Sequence, residues 1–431
     1  MLRKWFVVCL ACASLAGAPA PAAPSIDFDQ GVDVKGVIES VKARIAQQTA
    51  AEKARSGEWT IMVYVNAKNN LEKYGLGDVN EMEKIGSSGK VKIAVELGRI
   101  NGYDASDGNW TGQRRYIIKK DKEPAKITSP VLQNIAQADM GDWRHLVDFV
   151  QWAKKAAPAK HYMLIVWNHG SGWDKRRYPE VVINGISYDD ETGNNISTMD
   201  LGQAMARSGK IDIYASDACL MQMAEVAYQV KDFAEYIVGS EETEPGDGYT
   251  YDALLKPLTS RPAMTPAALA RLTAEAYTAH YARAGEGATQ SAVKAAALPK
   301  LLSLLSDWAD AVTAANETAV LKNARSQAQA FTTNDNKDLL HFIRLVDRGT
   351  KDPQVKSKGA QLEKHLAGEV IMANATTGDA FKNAFGLAIY IPSSSYNEDY
   401  EKLAWAKEGS WTRFVQWQRH IRDEDEAQAS R

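Results

Sequence analysis

Cysteine is nearly missing from this sequence. Its 431 residues hold three, at positions 9, 12 and 219. Histidine is scarce as well, with seven. Positive charge is not in excess, at 51 Lys and Arg against 54 Asp and Glu. That balance leaves no basic footprint for nucleic acid and no pull toward anionic lipid. Beyond the amino-terminal segment, no apolar run is long enough to cross a bilayer.

The first residues explain part of the shortage. Arg3 and Lys4 form a short positive region, "WFVVCLACASLAG" a short apolar one, and "APAPAAP" comes next. This is the layout of a cleavable signal peptide, expected to span 1–22 with the cut after Ala22. A lipoprotein reading of Cys12 is opposed by Cys9, which sits where a Leu- or Val-like residue is wanted. Removing Arg3 and Lys4 takes the formal net charge from −3 to −5. The mature chain then keeps one thiol, Cys219. Exported proteins that use cysteine for stability use it in pairs, so a disulfide framework is excluded. A redox role would need a second thiol and is excluded with it. What remains is a small core residue or a nucleophile.

Residues 23–57 are polar, with an amphipathic stretch "GVIESVKARIAQQTAAEKAR" that reads as an extension or pro-segment. From 58 to 255 the pattern alternates strand and helix. "WTIMVYVN", "KVKIAVELG", "HYMLIVWN", "IDIYAS" and "EYIVGS" are dense apolar runs, and amphipathic helical spacing separates them. Strands that do not alternate are buried on both faces, so the fold class is α/β with a mostly parallel sheet. Residues 256–420 turn rich in Ala, Leu and Lys and predict a mainly helical carboxyl-terminal domain. Residues 421–431 are a charged tail.

Parallel sheets place chemistry at the carboxyl ends of their strands. Two such ends carry reactive residues: "LIVWNHGSGW" delivers His169 and "IDIYASDAC" delivers Cys219. A helix expected from about 218 to 230 would put Cys219 at its amino terminus. That position, together with a nearby imidazolium, would lower the thiol pKa. Gly170 and Cys219 can offer N–H groups to an oxyanion.

"WNHGSGW" followed by "DACLM" resembles the clostripain family of cysteine peptidases, relatives of caspases, gingipains and separase. "WTIMVYVNAKNNLE", "ISYDDETGNN", "VGSEETEPGDGYTY", "DLLHFIRLV" and "GLAIYIP" extend the likeness over about 58 to 418. Lys68 departs from it, where an acidic residue is expected. The resemblance implies a caspase-like αβα sandwich. It implies Cys219 as nucleophile and His169 as general base and acid, a dyad needing no third residue. It also implies Asp217 and Asp247 as carboxylates of an S1 pocket for Arg or Lys at P1. For Asp217 an N-cap is the plain alternative, and for Asp247 a turn aspartate. Lys175, Arg176 and Arg177, in an expected loop between His169 and Cys219, are candidates for self-cleavage or a solvated charge run. Asp189, Asp190, Glu191 and Asn194 offer oxygens to calcium, on which clostripain itself depends, but without EF-hand spacing. No cofactor is otherwise required. The partners implied are protein or peptide substrates with a basic P1 residue. An exported thiol hydrolase or transpeptidase using the same pair is a second reading. A binding module without chemistry is a third, opposed by the presence of both Cys219 and His169.

Overall fold

The structure is a computed structural model that describes residues 36, 38–43, 57–178, 181–393 and 395–419. The expected signal peptide, most of 23–57 and the charged tail lie outside the described residues. Residues 1–55 are set apart from the rest and are described only at a short helical stretch. Residues 56–431 form a second, compact unit.

In that second unit the first half alternates as the sequence predicts. Strand β1 (Gly57–Ala67) leads to helix α1 (Glu72–Ile85), then β2 (Val91–Arg99), β3 (Gly112–Ile117) and β4 (Val131–Ile135). Helix α2 (Trp143–Ala156) precedes β5 (Ala159–Trp167). A side sheet comes next, of β6 (Gly170–Tyr178), β7 (Val181–Asp189) and β8 (Asn194–Ile196). Then come α3 (Thr198–Ser208), β9 (Ile211–Asp217), α4 (Ala224–Val230) and β10 (Ala234–Gly239). Local chemistry sets the helix starts. Asp142 accepts from the Arg144 N–H ahead of α2, and Ser197 from the Asp200 N–H ahead of α3. Each satisfies a donor with no partner inside its helix.

The central sheet has nine strands in the order β13-β11-β10-β9-β5-β1-β2-β3-β4. Its middle, β10-β9-β5-β1-β2, is parallel, and the pairs on either side are antiparallel. The buried strands split by parity between two cores. Met62, Tyr64, Leu164 and Val166 pack with Leu146 and Phe149 of α2 and with Leu201 of α3. Ile61, Val63, Val65, Met163 and Ile165 pack with Leu76, Val79 and Met82 of α1. Full burial of each such side chain contributes about 1.5–3 kcal/mol, and this two-sided cover is why the strands read as continuous apolar runs.

Past residue 255 the chain does more than add helices. After α5 (Tyr251–Ser260) and α6 (Pro266–Ala284), strand β11 (Ala288–Lys294) joins the central sheet against β10. Helices α7 (Leu298–Ala315) and α8 (Thr318–Gln327), strand β12 (Asn336–Asp338), and helices α9 (Leu339–Gly349) and α10 (Pro353–His365) come after it. Strand β13 (Ile371–Thr377) pairs with β11, and β14 (Ala388–Tyr390) pairs with β12. The segment expected as a separate helical domain therefore completes the sheet begun by the first half.

Candidate active site

The register of β5 against β9 pairs Trp167 with Asp217. His169 and Cys219 each lie two residues beyond that pair, on neighbouring parallel strands about 4.8 Å apart. Between β1 and β5 the chain order reverses, because β2 lies on the far side of β1. The crevice at such a switch point is where open α/β sheets bind ligands. Here it is a cleft of about 250 Å³ lined by Leu71, His169, Asp217, Cys219, Glu244 and Gly248 among others.

Cys219 is a half-buried free thiol. It does not begin a helix, contrary to the expectation. The chain turns sharply at Leu220, φ +64°, and α4 starts only at Ala224. The Leu220 N–H donates to the Glu242 carbonyl instead. Burial pushes the thiol pKa up, opposed by the Glu244 N–H, which donates to Sγ over 3.3 Å. Gly170 packs against this turn, where an added Cβ would lie 2.3 Å from the Cys219 carbonyl oxygen. No larger residue fits without moving backbone.

Burial lowers the pKa of His169, with Asp190 pulling the other way. Its Nε2 lies 2.8 Å from Asn70 Oδ1, at the end of β1. With that amide oxygen as acceptor, Nε2 carries the proton and Nδ1 keeps a lone pair. Asn70 is a site residue that sequence reasoning missed. Its signal was a polar residue just past a buried strand. Two more asparagines brace this corner. Asn69 Nδ2 donates to the Tyr188 carbonyl over 2.9 Å, and Asn168 Oδ1 accepts the Tyr188 N–H over 2.7 Å.

Asp217 is buried and its two oxygens are taken. Oδ1 accepts the Tyr249 N–H at 3.1 Å and Oδ2 the Tyr251 hydroxyl at 2.8 Å. Burial raises its pKa to about 6. It caps no helix, because the residue before α4 is Met223. Asp247 is exposed and lines a neighbouring cavity with Lys73, Tyr74, Asp78 and Glu81. The cleft around Cys219 is lined by other residues.

The expected loop at 174–178 is strand in the structure. Lys175, Arg176 and Arg177 lie in β6, paired with Asn184, Ile183 and Val182 of β7. The side chains of these three basic residues lie outside the described residues.

The acidic run at 189–191 holds a lysine. Lys68 is buried, with Nζ 2.9 Å from Asp189 Oδ2, in contact with the Glu191 carboxylate, and 2.9 Å from the Ala138 carbonyl oxygen. Asp189 also accepts the N–H groups of Met140 and Glu191. Asp190 accepts the Tyr103 hydroxyl. Among the described residues no group of three His, Cys, Asp or Glu side chains is arranged to hold a metal ion. Asp189 and Glu191 do not fit calcium, because an ammonium already lies between their oxygens.

Comparison with known proteins accords with this geometry. The sequence profile of the clostripain family matches residues 63–417. Clostripain from Hathewaya histolytica is 29% identical over 226 residues, 47% of this chain and 43% of the relative. The alignment thus spans less than half of that relative's length. A secreted cysteine protease from Bacteroides thetaiotaomicron, solved with an irreversible peptide inhibitor, superposes with a TM-score of 0.62 at 21% identity. That match covers 82% of this chain and 99% of the other. An inactive zymogen protease from Parabacteroides distasonis superposes at 0.61 and 19% identity, covering 82% and 98%. At these identities the two structures establish the shared fold, and no helix among the described residues is long and apolar enough to cross a membrane.

Proposed function

Because this chain belongs to the clostripain family, we propose that it is an exported cysteine endopeptidase cutting after Arg or Lys. One observation carries the reading: Cys219, His169 and the buried Asp217 carboxyl converge on a single cleft.

The chemistry starts from the resting state. Burial disfavours both thiolate and imidazolium, so the pair rests as thiol and neutral imidazole. As a substrate carbonyl enters, His169 Nδ1 takes the thiol proton while Sγ attacks the carbonyl carbon. The Gly170 and Cys219 N–H groups receive the oxyanion. Nδ1 then gives its proton to the leaving amine, and the C–N bond breaks to leave a thioester. Water, deprotonated by the same nitrogen, releases the acid and restores the thiol. Asn70 holds the ring through Nε2 during each transfer.

Asp217 in the cleft, with Asp247 in the adjoining cavity, supplies negative charge for a basic P1 side chain. Losing a charge pair in a desolvated site costs about 2–5 kcal/mol, or roughly thirtyfold and more in selectivity. Self-cleavage after Lys175, Arg176 or Arg177 requires β6 to peel from β7, since a scissile segment must be extended and unpaired to enter a cleft. Calcium is not needed to balance Asp189 and Glu191, because Lys68 supplies the positive charge between them. Export rests on the leader at 1–22.

The test offers wild type and Cys219→Ala short chromogenic peptides differing only at P1: Arg, Lys, Asp and Leu. The reading expects turnover after Arg and Lys, lost in the variant. Turnover after Asp or Leu alone, or turnover that survives in Cys219→Ala, would overturn it.

A further inference from the structure

We propose that Glu244, acting with Asp217, is the receptor for the cationic P1 side chain. The inference rests on the proposed preference for Arg or Lys and names the residue that enforces it.

Glu244 touches the nucleophile through its backbone, with its N–H donating to Cys219 Sγ over 3.3 Å. A substrate attacked by that sulfur has its P1 carbonyl on Sγ, so the Glu244 side chain stems from within a few ångströms of the P1 Cα. Both Glu244 and Asp217 line the cleft that holds Cys219, whereas Asp247 lines the cavity beside it. Asp217 has no oxygen left to offer without breaking a bond to Tyr249 or Tyr251. Glu244 does. Its Oε1 accepts weakly from Gln290 Nε2 at 3.3 Å, and its buried Oε2 has no donor from any other described residue, the carboxyl otherwise meeting only the Asp217 carboxyl, with which it shares a hydrogen bond.

The charges point the same way. Besides His169 across the cleft, the titratable groups facing this pair are Asp78 and Glu81 from α1, Cys219 from the turn after β9, Tyr249 from the segment after β10, Tyr251 at the start of α5, and Tyr277 and Tyr281 from α6. None of these is basic. Among the described residues no Lys, Arg or His forms a salt bridge to Asp78, Asp217 or Glu244. Two close buried carboxyls cannot both ionise without a counter-ion. Burial, then repulsion from Asp217, raises Glu244 far above the usual carboxylate range, while burial raises Asp217 to about 6 against the pull of its hydrogen bonds to Glu244, Tyr251 and Tyr249. The pair thus holds a proton in the resting enzyme. A guanidinium or ammonium arriving at Oε2 supplies the counter-charge, and the proton leaves to solvent. Binding of a basic P1 residue is therefore linked to proton release, and its affinity rises with pH.

The test compares two peptides identical except for Arg or the neutral isostere citrulline at P1, using wild type and E244Q. Gln keeps the backbone N–H to Sγ and the side-chain shape. The ratio of kcat/KM for Arg over citrulline should fall by roughly tenfold or more in E244Q. A second measurement needs no variant. Calorimetry of wild type with a reversible peptide aldehyde ending in Arg, at pH 6 in two buffers of different ionisation heat, should show net proton release that a norleucine aldehyde does not. An unchanged ratio in E244Q, or equal proton counts for the two aldehydes, would overturn the inference while leaving the basic preference standing. A wild type that does not prefer Arg over citrulline would overturn the proposed function, and this inference with it.

Discussion

Burial acts on the two reacting side chains in opposite senses, and both senses favour the neutral form: the thiol of Cys219 is pushed up and the imidazole of His169 down. On substrates with a neutral P1 residue, kcat/KM should rise as His169 loses its proton, with a midpoint below the ordinary histidine value of about 6.5. A midpoint above that value would show an ion-paired resting state instead. Asn70→Ala removes one orienting hydrogen bond worth about 1 kcal/mol. Its kcat should drop roughly 5- to 10-fold with KM little changed, as steady-state kinetics would show. Lys68 gives a third expectation. Wild-type activity should survive a calcium chelator. Lys68→Met, which strands the buried Asp189 carboxylate, should lose about 3–5 kcal/mol of stability in denaturant titration. The sequence announced Cys219 and His169 because a lone thiol and a histidine at strand ends are rare. It did not announce Asn70 or Glu244, since asparagine after a strand and glutamate in a Pro-Gly loop are ordinary there. Their roles come from β1 and the segment after β10 meeting the ends of β5 and β9, which no local pattern encodes.

Helix α4 is seven residues long and is held from outside. Its Glu225 accepts the Tyr390 N–H at 3.0 Å and the Tyr400 hydroxyl at 2.8 Å, and burial raises its pKa to about 7. A raised carboxyl contributes its stability below the unfolded pKa and loses it as pH rises through the folded one. The window here runs from about 4.5 to about 7. Glu225→Gln should therefore be more stable than wild type at pH 8 by roughly 3 kcal/mol, with the gap closing below pH 5. Parallel melting curves across that range would refute the assignment. In the β6–β7 hairpin, incubated wild type should give two bands on a denaturing gel and Cys219→Ala one. A single band from active wild type would rule out self-cleavage there. Strands β1, β2, β5, β9 and β10 were legible because they are buried on both faces and rich in Val, Ile and Tyr. Strand β11, "ATQSAVK", and β13, "IMANATT", were not. Their Ala, Ser, Asn and Gln carry little strand signal, and pairing decides their state, β11 on the edge of β10 and β13 on β11.

The same edge makes residues 56–431 one unit. Cutting the chain after 255 would strip β11 from β10 and remove Leu298, Leu301, Leu305 and Trp308 from one of the two cores. A fragment of 57–255 should show no cooperative thermal transition, and a sharp melt would contradict the shared core. The composition shift near 256 suggested a boundary because helices α5 to α10 dominate the chain beyond it, yet composition does not record where a chain returns to its sheet. At the scale of the whole molecule, one premise is central: Cys219 is the nucleophile of a cleft selecting a basic side chain. Intact mass spectrometry after treatment with a peptidyl chloromethyl ketone ending in Arg tests it most directly. One adduct per chain is expected, mapped to Cys219, slowed in His169→Ala and absent with the same reagent ending in Asp. A free Cys219 thiol after treatment, or an adduct elsewhere, would contradict it.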